Sequence, residues 1–419
     1  MSASPIWHPF TQHGLEGAAL NIARAEGAWL ETEDGKRIFD AISSWWVVTH
    51  GHCHPKIVEA IRRQAEDLDQ VIFAGFTHPP AEATAKALLT AAPEGLAHVF
   101  FSDSGSTSVE VAIKMALGFF RNRGEARTRI IALEHAYHGD TVGAMSAGAR
   151  GVFNAAYEPL LYDVVRIPFP AQGRAQATLD ALDAACATGD TAAFIVEPLI
   201  LGAGGMLIYD AATLAAMAAI CEKRGVLFIA DEVMTGFGRT GAMFACEHAG
   251  VAPDILCVAK GLTGGSLPLA ATLCKADIFE AHRSRDRARM FFHSSSYAAN
   301  PIACAAAAAN LEIWRDEPVL DRVAALGVLQ DIQLARVRPD ARFKNVRRLG
   351  TIAAFDVARA APGYLADVAL ELRQAALRRG VLIRPLGGTI YAMPPYCTHP
   401  DDLAITYDAI ADACDEVLA

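Results

Sequence analysis

The sequence predicts an α/β protein with one large, mostly parallel sheet and a smaller α+β part. Between about residues 98 and 275, short apolar runs alternate with segments of helical periodicity, as in parallel strands joined by crossover helices. The chain has 419 residues, which is too long for one hydrophobic core, so a smaller second unit is expected. After about residue 315 the alternation stops, and the pattern predicts a separate C-terminal unit.

The elements are predicted in chain order from local patterns. Three alternating segments open the chain, at 21–25, 28–32 and 37–41, and Asp34-Gly35 between the last two is a hairpin turn signal. The apolar runs that predict the core strands are 98–101, 130–133, 193–196, 226–230 and 255–259. In the C-terminal unit, extended segments are expected at 351–357 and 381–385, before a closing helix at 401–418. We therefore expect an N-terminal segment (1–50) that packs on the small domain and the active site, a large domain (51–315) and a small domain (316–419).

Composition and charge favour a small-molecule partner. The net charge is −10 and no dense Lys/Arg stripe is present, so the electrostatic footprint of a protein that binds nucleic acid or an anionic membrane is absent. The nine cysteines are scattered and contain no Cys-x-x-Cys pair, which indicates neither a disulfide framework nor a zinc site. Neither a secretory leader nor an apolar run of about 18 residues is seen, so a cytoplasmic location is expected.

Polar residues follow the predicted core strands and should meet in one crevice. In open α/β sheets, ligands bind outside the carboxyl ends of the strands. Ser102–Ser106, Glu197, Asp231 and Lys260 all occupy such positions. Glu197 is expected to accept hydrogen bonds from a substrate, to orient Arg239, or simply to cap its strand.

The segment Ser102–Ser108 follows a strand and opens a helix, which makes it a candidate anion site. Free backbone N–H groups, the positive end of the helix dipole and several hydroxyls suit a phosphate monoester. The alternative is ordinary Ser/Thr capping of a helix.

Asp231 and Lys260 each end an apolar strand, and together they suggest a cofactor site. An Asp at this position can pair with the pyridine nitrogen of pyridoxal 5′-phosphate (PLP), although such a residue is often a plain cap. Burial favours the neutral amine that a Schiff-base lysine needs, although a lysine can also extend from a strand end to solvent. Tyr137 follows another strand and could stack on a flat cofactor.

A metal site is not expected. His52 and His54 lie in the turn Gly-His-Cys-His-Pro, but no third ligand stands at recognisable spacing. We expect a turn that precedes a helix from Lys56.

Longer segments resemble a known family, the class III PLP-dependent aminotransferases. The resemblance covers nearly the whole chain and is strongest in Asp231–Gly241 (DEVMTGFGRTG), Phe244–His248, Pro253–Ile255 and Lys260–Gly265. It implies PLP-dependent transferase fold type I, PLP as the cofactor, and a homodimer whose active sites use both subunits.

Other segments resemble the branch of this family that acts in biotin biosynthesis. They are Trp7–Gln12, Ser43–Trp46, Phe101–Ser106, Tyr137–Thr141 and Met393–Tyr396. That branch transfers an amino group from S-adenosyl-L-methionine to 8-amino-7-oxononanoate.

The resemblance also implies roles for individual residues. Lys260 would form the Schiff base, Asp231 would hold the pyridine nitrogen and Tyr137 would stack on the ring. These three residues are the expected catalytic set. Gly105 and Ser106 would bind the phosphate.

Further residues are expected to come from the neighbouring subunit or to bind substrate. Ser296 of the neighbouring subunit would complete the phosphate site. The expected substrate residues are Trp45, Trp46, Tyr137, Ser294, Arg384 and Tyr391, with Arg384 binding the carboxylate of the keto acid.

Two departures from the family pattern bear on these expectations. Phe10 stands where the family often has Tyr, whose hydroxyl is associated with the S-adenosyl-L-methionine donor, so lysine is an alternative donor. Ser294–Ser296 replaces a frequent Gly-Pro-Thr, and Ser296 keeps a hydroxyl.

Three other functions are alternatives. They are another class III ω-aminotransferase, a non-catalytic regulator with a PLP fold, and a Rossmann dehydrogenase, for which a Gly-x-Gly-x-x-Gly after the first core strand is missing.

Overall fold

The computed structural model describes residues 4–361 and 363–418. The strands are β1 (Ile22–Glu26), β2 (Trp29–Thr32), β3 (Arg37–Asp40), β4 (Leu96–Ser102), β5 (Arg129–Leu133), β6 (Val165–Ile167), β7 (Thr191–Val196), β8 (Ile200–Leu201), β9 (Leu207–Ile208), β10 (Leu227–Asp231), β11 (Ile255–Val258), β12 (Ala270–Lys275), β13 (Phe343–Leu349), β14 (Ile352–Val357), β15 (Val381–Leu382) and β16 (Thr389–Ala392). The α-helices are α1 (Ser43–Trp46), α2 (Pro55–Asp67), α3 (Pro79–Ala91), α4 (Gly105–Asn122), α5 (Val142–Ala147), α6 (Ala175–Cys186), α7 (Ala211–Arg224), α8 (Ala276–His282), α9 (Pro301–Asp316), α10 (Val319–Val337), α11 (Val368–Arg378) and α12 (Pro400–Leu418).

A seven-stranded sheet forms the centre of the large unit. Its strand order is β4-β12-β11-β10-β7-β5-β6, and β12 alone runs antiparallel to its neighbours. The five core strands predicted from apolar runs are all present in it. The mostly parallel α/β architecture expected from the sequence is therefore confirmed, and its parallel strands end at one edge of the sheet.

The sheet is buried on both faces because helices cover each side. Strand β7 shows this best, since all six of its residues are buried. Phe194 and Val196 point into one apolar cluster, and Ala193 and Ile195 point into another on the opposite face. Continuous apolar strands of this kind are typical of parallel sheets.

The chain ends form a second apolar core around two smaller sheets. Their strand orders are β1-β2-β3-β15 and β13-β14-β16. Phe39 from the N-terminal segment packs in one cluster with Phe355 and Leu403 from the C-terminal region. Helix α9 contributes to both cores, with Cys304 on one side and Ile313 on the other. The domain boundaries at residues 50 and 315 stay a prediction.

Among the described residues, none of the helices is long and apolar enough to cross a membrane. Likewise, within residues 4–361 and 363–418, no cluster of three or more His, Cys, Asp or Glu side chains is arranged to hold a metal ion.

Candidate active site

A cavity of ≈ 430 Å³ lies at the edge where the parallel strands end. Residues predicted to bind a cofactor line it together, although they come from four separate segments of the chain. They are Gly105, Ser106, Tyr137, Asp231 and Lys260. The convergence expected from the sheet topology is therefore present, with Glu197 on the same wall.

Helix α4 begins at the wall of this cavity. Ser104 is its N-cap and accepts a hydrogen bond from the Thr107 backbone N–H, and the Thr107 hydroxyl accepts one from the Ser104 N–H. Ordinary capping thus accounts for Ser104 and Thr107, and it leaves Gly105 and Ser106 facing the cavity. A Cβ at position 105 would lie 2.5 Å from Val233 Cγ1, so only glycine fits there without displacing Val233.

Asp231 ends β10 and presents a buried carboxylate to the cavity. One oxygen accepts a hydrogen bond from the His138 Nδ1–H at 2.7 Å, and the other accepts one from the Val233 N–H at 3.1 Å. The carboxylate is therefore held in one orientation. No role for His138 was predicted from the sequence, where its position next to Tyr137 after β5 is the signal that could have indicated one.

Lys260 opens a short 3₁₀ turn, Lys260–Thr263, with φ at 43° in the left-handed region. The surrounding protein removes water from the amine and lowers the pKa of Lys260 to about 8, although the charges of Asp231 and Glu197 act in the opposite direction. The Nζ atom lies 5.0 Å from the ring centre of Trp46. A large share of this amine is neutral near physiological pH.

Glu197 supports the wall of the site. Its two carboxylate oxygens accept hydrogen bonds from the backbone N–H groups of Tyr137 (3.0 Å) and Gly202 (2.9 Å). Burial raises the pKa of Glu197 to about 7. The expectation that Glu197 orients Arg239 is wrong, because the Arg239 guanidinium donates to the carbonyls of Trp46, Val48 and Pro394 instead.

A second cavity of ≈ 370 Å³ adjoins the first. Trp46, Tyr137 and Lys260 line both cavities, so the Lys260 amine lies at the boundary between them. Of the residues predicted to bind substrate, the second cavity brings together Trp45, Trp46, Tyr137, Arg384 and Tyr391. This arrangement allows a cofactor and a substrate to approach Lys260 from two sides.

The walls of the second cavity are mainly aromatic. The Trp46 Nε1–H donates to the Tyr391 hydroxyl at 2.8 Å, which holds the indole in place. The Arg384 guanidinium lies 4.6 Å from the ring centre of Trp45. Five further lining residues are not marked by any local sequence pattern: Val47, Phe153, Ala203, Tyr364 and Leu386.

Ser294 and Ser296 lie outside both cavities of this chain. Their side chains are exposed, and neither residue lines a cavity. Their neighbour Ser295 donates to the Asp103 carboxylate at 2.6 Å, and Asp103 does line the first cavity. The role expected for Ser296 requires a second subunit and stays a prediction.

The donor set of the first cavity fits PLP. The N-terminus of α4 presents backbone N–H groups to a phosphate, Asp231 presents a carboxylate to a protonated ring nitrogen, and Lys260 presents an amine to an aldehyde. Tyr137 supplies an aromatic ring to the same cavity.

The chain is similar to known proteins over nearly its whole length. The profile of the family Aminotransferase class-III matches residues 11–414. Adenosylmethionine-8-amino-7-oxononanoate aminotransferase of Synechococcus elongatus is 47% identical over 423 residues, which cover 98% of this chain and 99% of that protein. The crystal structure of the enzyme with the same name from Methanocaldococcus jannaschii has a TM-score of 0.94 at 33% identity and covers 99% of this chain and 97% of that one. A PLP-bound amine transaminase from an uncultivated Pseudomonas species gives a TM-score of 0.93, also at 33% identity, with 99% of each chain covered. This chain belongs to the class III aminotransferases, and its cofactor is pyridoxal 5′-phosphate.

Proposed function

We propose that the protein transfers an amino group from S-adenosyl-L-methionine to 8-amino-7-oxononanoate, which gives 7,8-diaminononanoate for biotin biosynthesis. One observation carries this proposal: the second cavity has apolar and aromatic walls and a guanidinium, Arg384. Such walls suit a long aliphatic chain, and the planar fork of a guanidinium suits a carboxylate. The names of the similar enzymes from Synechococcus elongatus and Methanocaldococcus jannaschii support the same reaction.

Each part of the cofactor has a residue that would hold it. Bound PLP supplies a conjugated ring that stabilises negative charge on the carbon that loses a proton. Asp231 would keep the ring nitrogen protonated, and His138 orients that carboxylate through its Nδ1–H. Gly105 and Ser106 would hold the phosphate, and Tyr137 would stack on the ring.

Lys260 would both anchor the cofactor and carry the proton. Its amine lies between the two cavities, within reach of both ligands. Because the pKa of Lys260 is about 8, the neutral amine is abundant enough to accept a proton from the donor's α-carbon. The resulting ammonium would pass that proton to the C4′ carbon of the cofactor, and Lys260 would carry out the reverse transfer when the keto acid takes up the amino group. A Lys260→Ala variant should therefore lose the absorption band that borohydride abolishes in the parent enzyme.

The donor is expected to carry a positive charge. Four aromatic rings line the second cavity around the N-terminal segment: those of Phe10, Trp45, Phe153 and Tyr364. The Phe10 ring lies 5.5 Å from Trp45, and the Phe153 ring lies 4.6 Å from Tyr364. Aromatic faces attract cations, and both the sulfonium of S-adenosyl-L-methionine and the side-chain ammonium of lysine are cations.

One measurement separates the two donors. The change in cofactor absorption is followed in a single turnover with S-adenosyl-L-methionine and, separately, with lysine. Our proposal expects the first to react faster, and Phe10→Tyr should increase that preference by adding the hydroxyl that the family often has. Faster turnover with lysine would identify lysine as the donor, and the assignment of 8-amino-7-oxononanoate as the keto acid would stand.

A second candidate is an ω-aminotransferase that acts on simpler amines. The likeness to the amine transaminase from the Pseudomonas species favours it. Coupled assays with pyruvate decide between the two. Turnover of β-alanine or 4-aminobutyrate without any turnover of 8-amino-7-oxononanoate would establish the second candidate and overturn the first.

A homodimer with shared active sites is part of the proposal, as is a cytoplasmic location. Large apolar side chains stay exposed close to Ser296, and Phe292 and Tyr297 are 61% and 64% accessible. Ser296 of one subunit would complete the phosphate site of the other.

Hybrid dimers test this sharing directly. Ser296→Ala should lower PLP affinity, and Lys260→Ala should abolish activity. If Ser296 acts across the interface, a hybrid of the two variants contains one intact site and regains activity at limiting PLP. If Ser296 acts within its own subunit, each hybrid site carries one defect and no activity returns.

A further inference from the structure

We propose that Asn310 is a positioning residue that holds the turn carrying Lys260. Asn310 lies on α9 and is fully buried, with 0% of its surface accessible. Its side-chain amide donates to the carbonyls of Gly261 and Leu262, both at 3.0 Å. These two residues directly follow Lys260 in the 3₁₀ turn, so the amide is hydrogen-bonded to the backbone next to the residue that carries the reactive amine.

The turn needs such support because its backbone is unusual. Lys260 has a φ of 43°, a region that residues with a Cβ rarely adopt. The turn closes at Gly264 with a φ of 65°, where the Gly264 N–H donates to the Gly261 carbonyl. The Gly261 carbonyl thus accepts from both Asn310 and Gly264. Contacts from outside the turn are needed to keep Lys260 in this conformation.

His50 fixes the orientation of the Asn310 amide. Its Nε2 lies 2.9 Å from the Asn310 amide oxygen, and since that oxygen can only accept, the imidazole must donate from Nε2. Burial lowers the pKa of His50 to about 4, which keeps the imidazole neutral. With the oxygen engaged, both N–H groups of the amide point at the turn. His50, Asn310 and the turn thus form one chain of hydrogen bonds behind Lys260.

Gln330 provides a matched control. It is a buried side-chain amide that donates to two backbone carbonyls, Thr351 (3.0 Å) and Ala392 (3.3 Å), and accepts from the Tyr407 hydroxyl at 2.7 Å. It therefore makes the same kind of contacts as Asn310, but in the small C-terminal core. A purely structural role for Asn310 would make the two amides equivalent.

The test compares Asn310→Leu with Gln330→Met. Both replace an amide with an apolar side chain of similar size, and both should reduce stability. In cofactor-free enzyme, acylation of Lys260 is followed against pH by peptide mass spectrometry. The groups that set the charge around this amine, Asp231, Glu197 and Arg239, are unchanged in both variants.

The acylation midpoint is the pH at which Lys260 reacts at half its maximal rate. We expect only Asn310→Leu to raise this midpoint toward that of an ordinary lysine, because the loosened turn admits water to the amine. In the loaded enzyme the same variant should lower kcat by about 10- to 100-fold, since small displacements of a catalytic group carry such penalties. KM should stay unchanged, because the substrate contacts remain. Parent-like values of both quantities in a destabilised Asn310→Leu would overturn the proposal.

A second pair covers the possibility that Asn310→Leu does not fold. His50→Gln keeps a donor near the position of Nε2, whereas His50→Leu removes it. The midpoint should shift in His50→Leu and return in His50→Gln, and identical parent-like midpoints in both would also overturn the proposal.

The inference rests on Lys260 as the cofactor lysine. Retention of covalently bound PLP by Lys260→Ala would refute that assignment, whereas the acylation midpoint tests Asn310 alone.

Discussion

The Lys260 amine of this enzyme should lose its proton at an unusually low pH because it is buried. Burial lowers the pKa from 10.5 to about 8, against the opposing charges of Asp231 and Glu197. At pH 7.5 about one Lys260 amine in four would then be neutral, compared with about one in a thousand for an ordinary lysine. Lys260 of the cofactor-free enzyme should therefore react with an acylating reagent over a pH range centred near 8.

The perturbation is Asp231→Asn, which removes one of the two negative charges that favour the ammonium form. Because the Asp231 charge raises the pKa of Lys260, its removal should lower the midpoint further below 8. Asn keeps the shape of the side chain and can still bond to neighbouring groups, so the change is mainly one of charge. A downward shift is the expected sign.

The assay is competitive acylation at a series of pH values, with the Lys260 peptide quantified by mass spectrometry. Exposed lysines of the same chain, such as Lys56, serve as internal references. A midpoint near 10 in the parent enzyme would refute the argument that burial governs this amine. An upward shift in Asp231→Asn would refute the assigned sign of the Asp231 charge.

The remaining predictions concern stability, the phosphate site and the substrate carboxylate. Because its folded-state pKa is depressed, Lys260 destabilises the cofactor-free fold below pH 8 by about 3 kcal/mol, and this penalty disappears as the pH rises to about 10.5. Lys260→Met should therefore be more stable than the parent at pH 7 in urea unfolding, and the difference should vanish near pH 10.5. Gly105→Ala should lower PLP affinity at least about 10-fold by overpacking against Val233. Gly105→Ala with Val233→Ala should restore binding in equilibrium dialysis, and failure to do so would contradict the steric explanation. Arg384→Leu should raise KM for 8-amino-7-oxononanoate about 10- to 100-fold, because a hydrogen bond to a charged group is lost. An unchanged KM for 8-amino-7-oxononanoate would argue against this carboxylate contact.

Much of the fold was predictable because local patterns determine local elements. The five apolar runs of the core all form strands, and the helix expected from Lys56 begins one residue earlier, at Pro55. Strand β12 escaped prediction, although all but the last of its six residues are buried. A single apolar run does not reveal that its strand will insert antiparallel between β4 and β11.

The sequence by itself determined which segments carry the chemistry. Asp231 and Lys260 are recognisable because each ends an apolar strand, and parallel strands must deliver such residues to one edge. Long motifs such as 231–241 also predict the family, and the family profile that matches residues 11–414 confirms it.

Only the tertiary structure decided which distant side chains meet. His138 contacts Asp231, Asn310 donates hydrogen bonds to the turn after Lys260, and Phe153 packs against Tyr364 at the wall of the second cavity. Periodicity tells which face of an element is buried, but it does not tell which element packs against that face. Strand order and helix packing set those partners, and they depend on the whole chain folding at once.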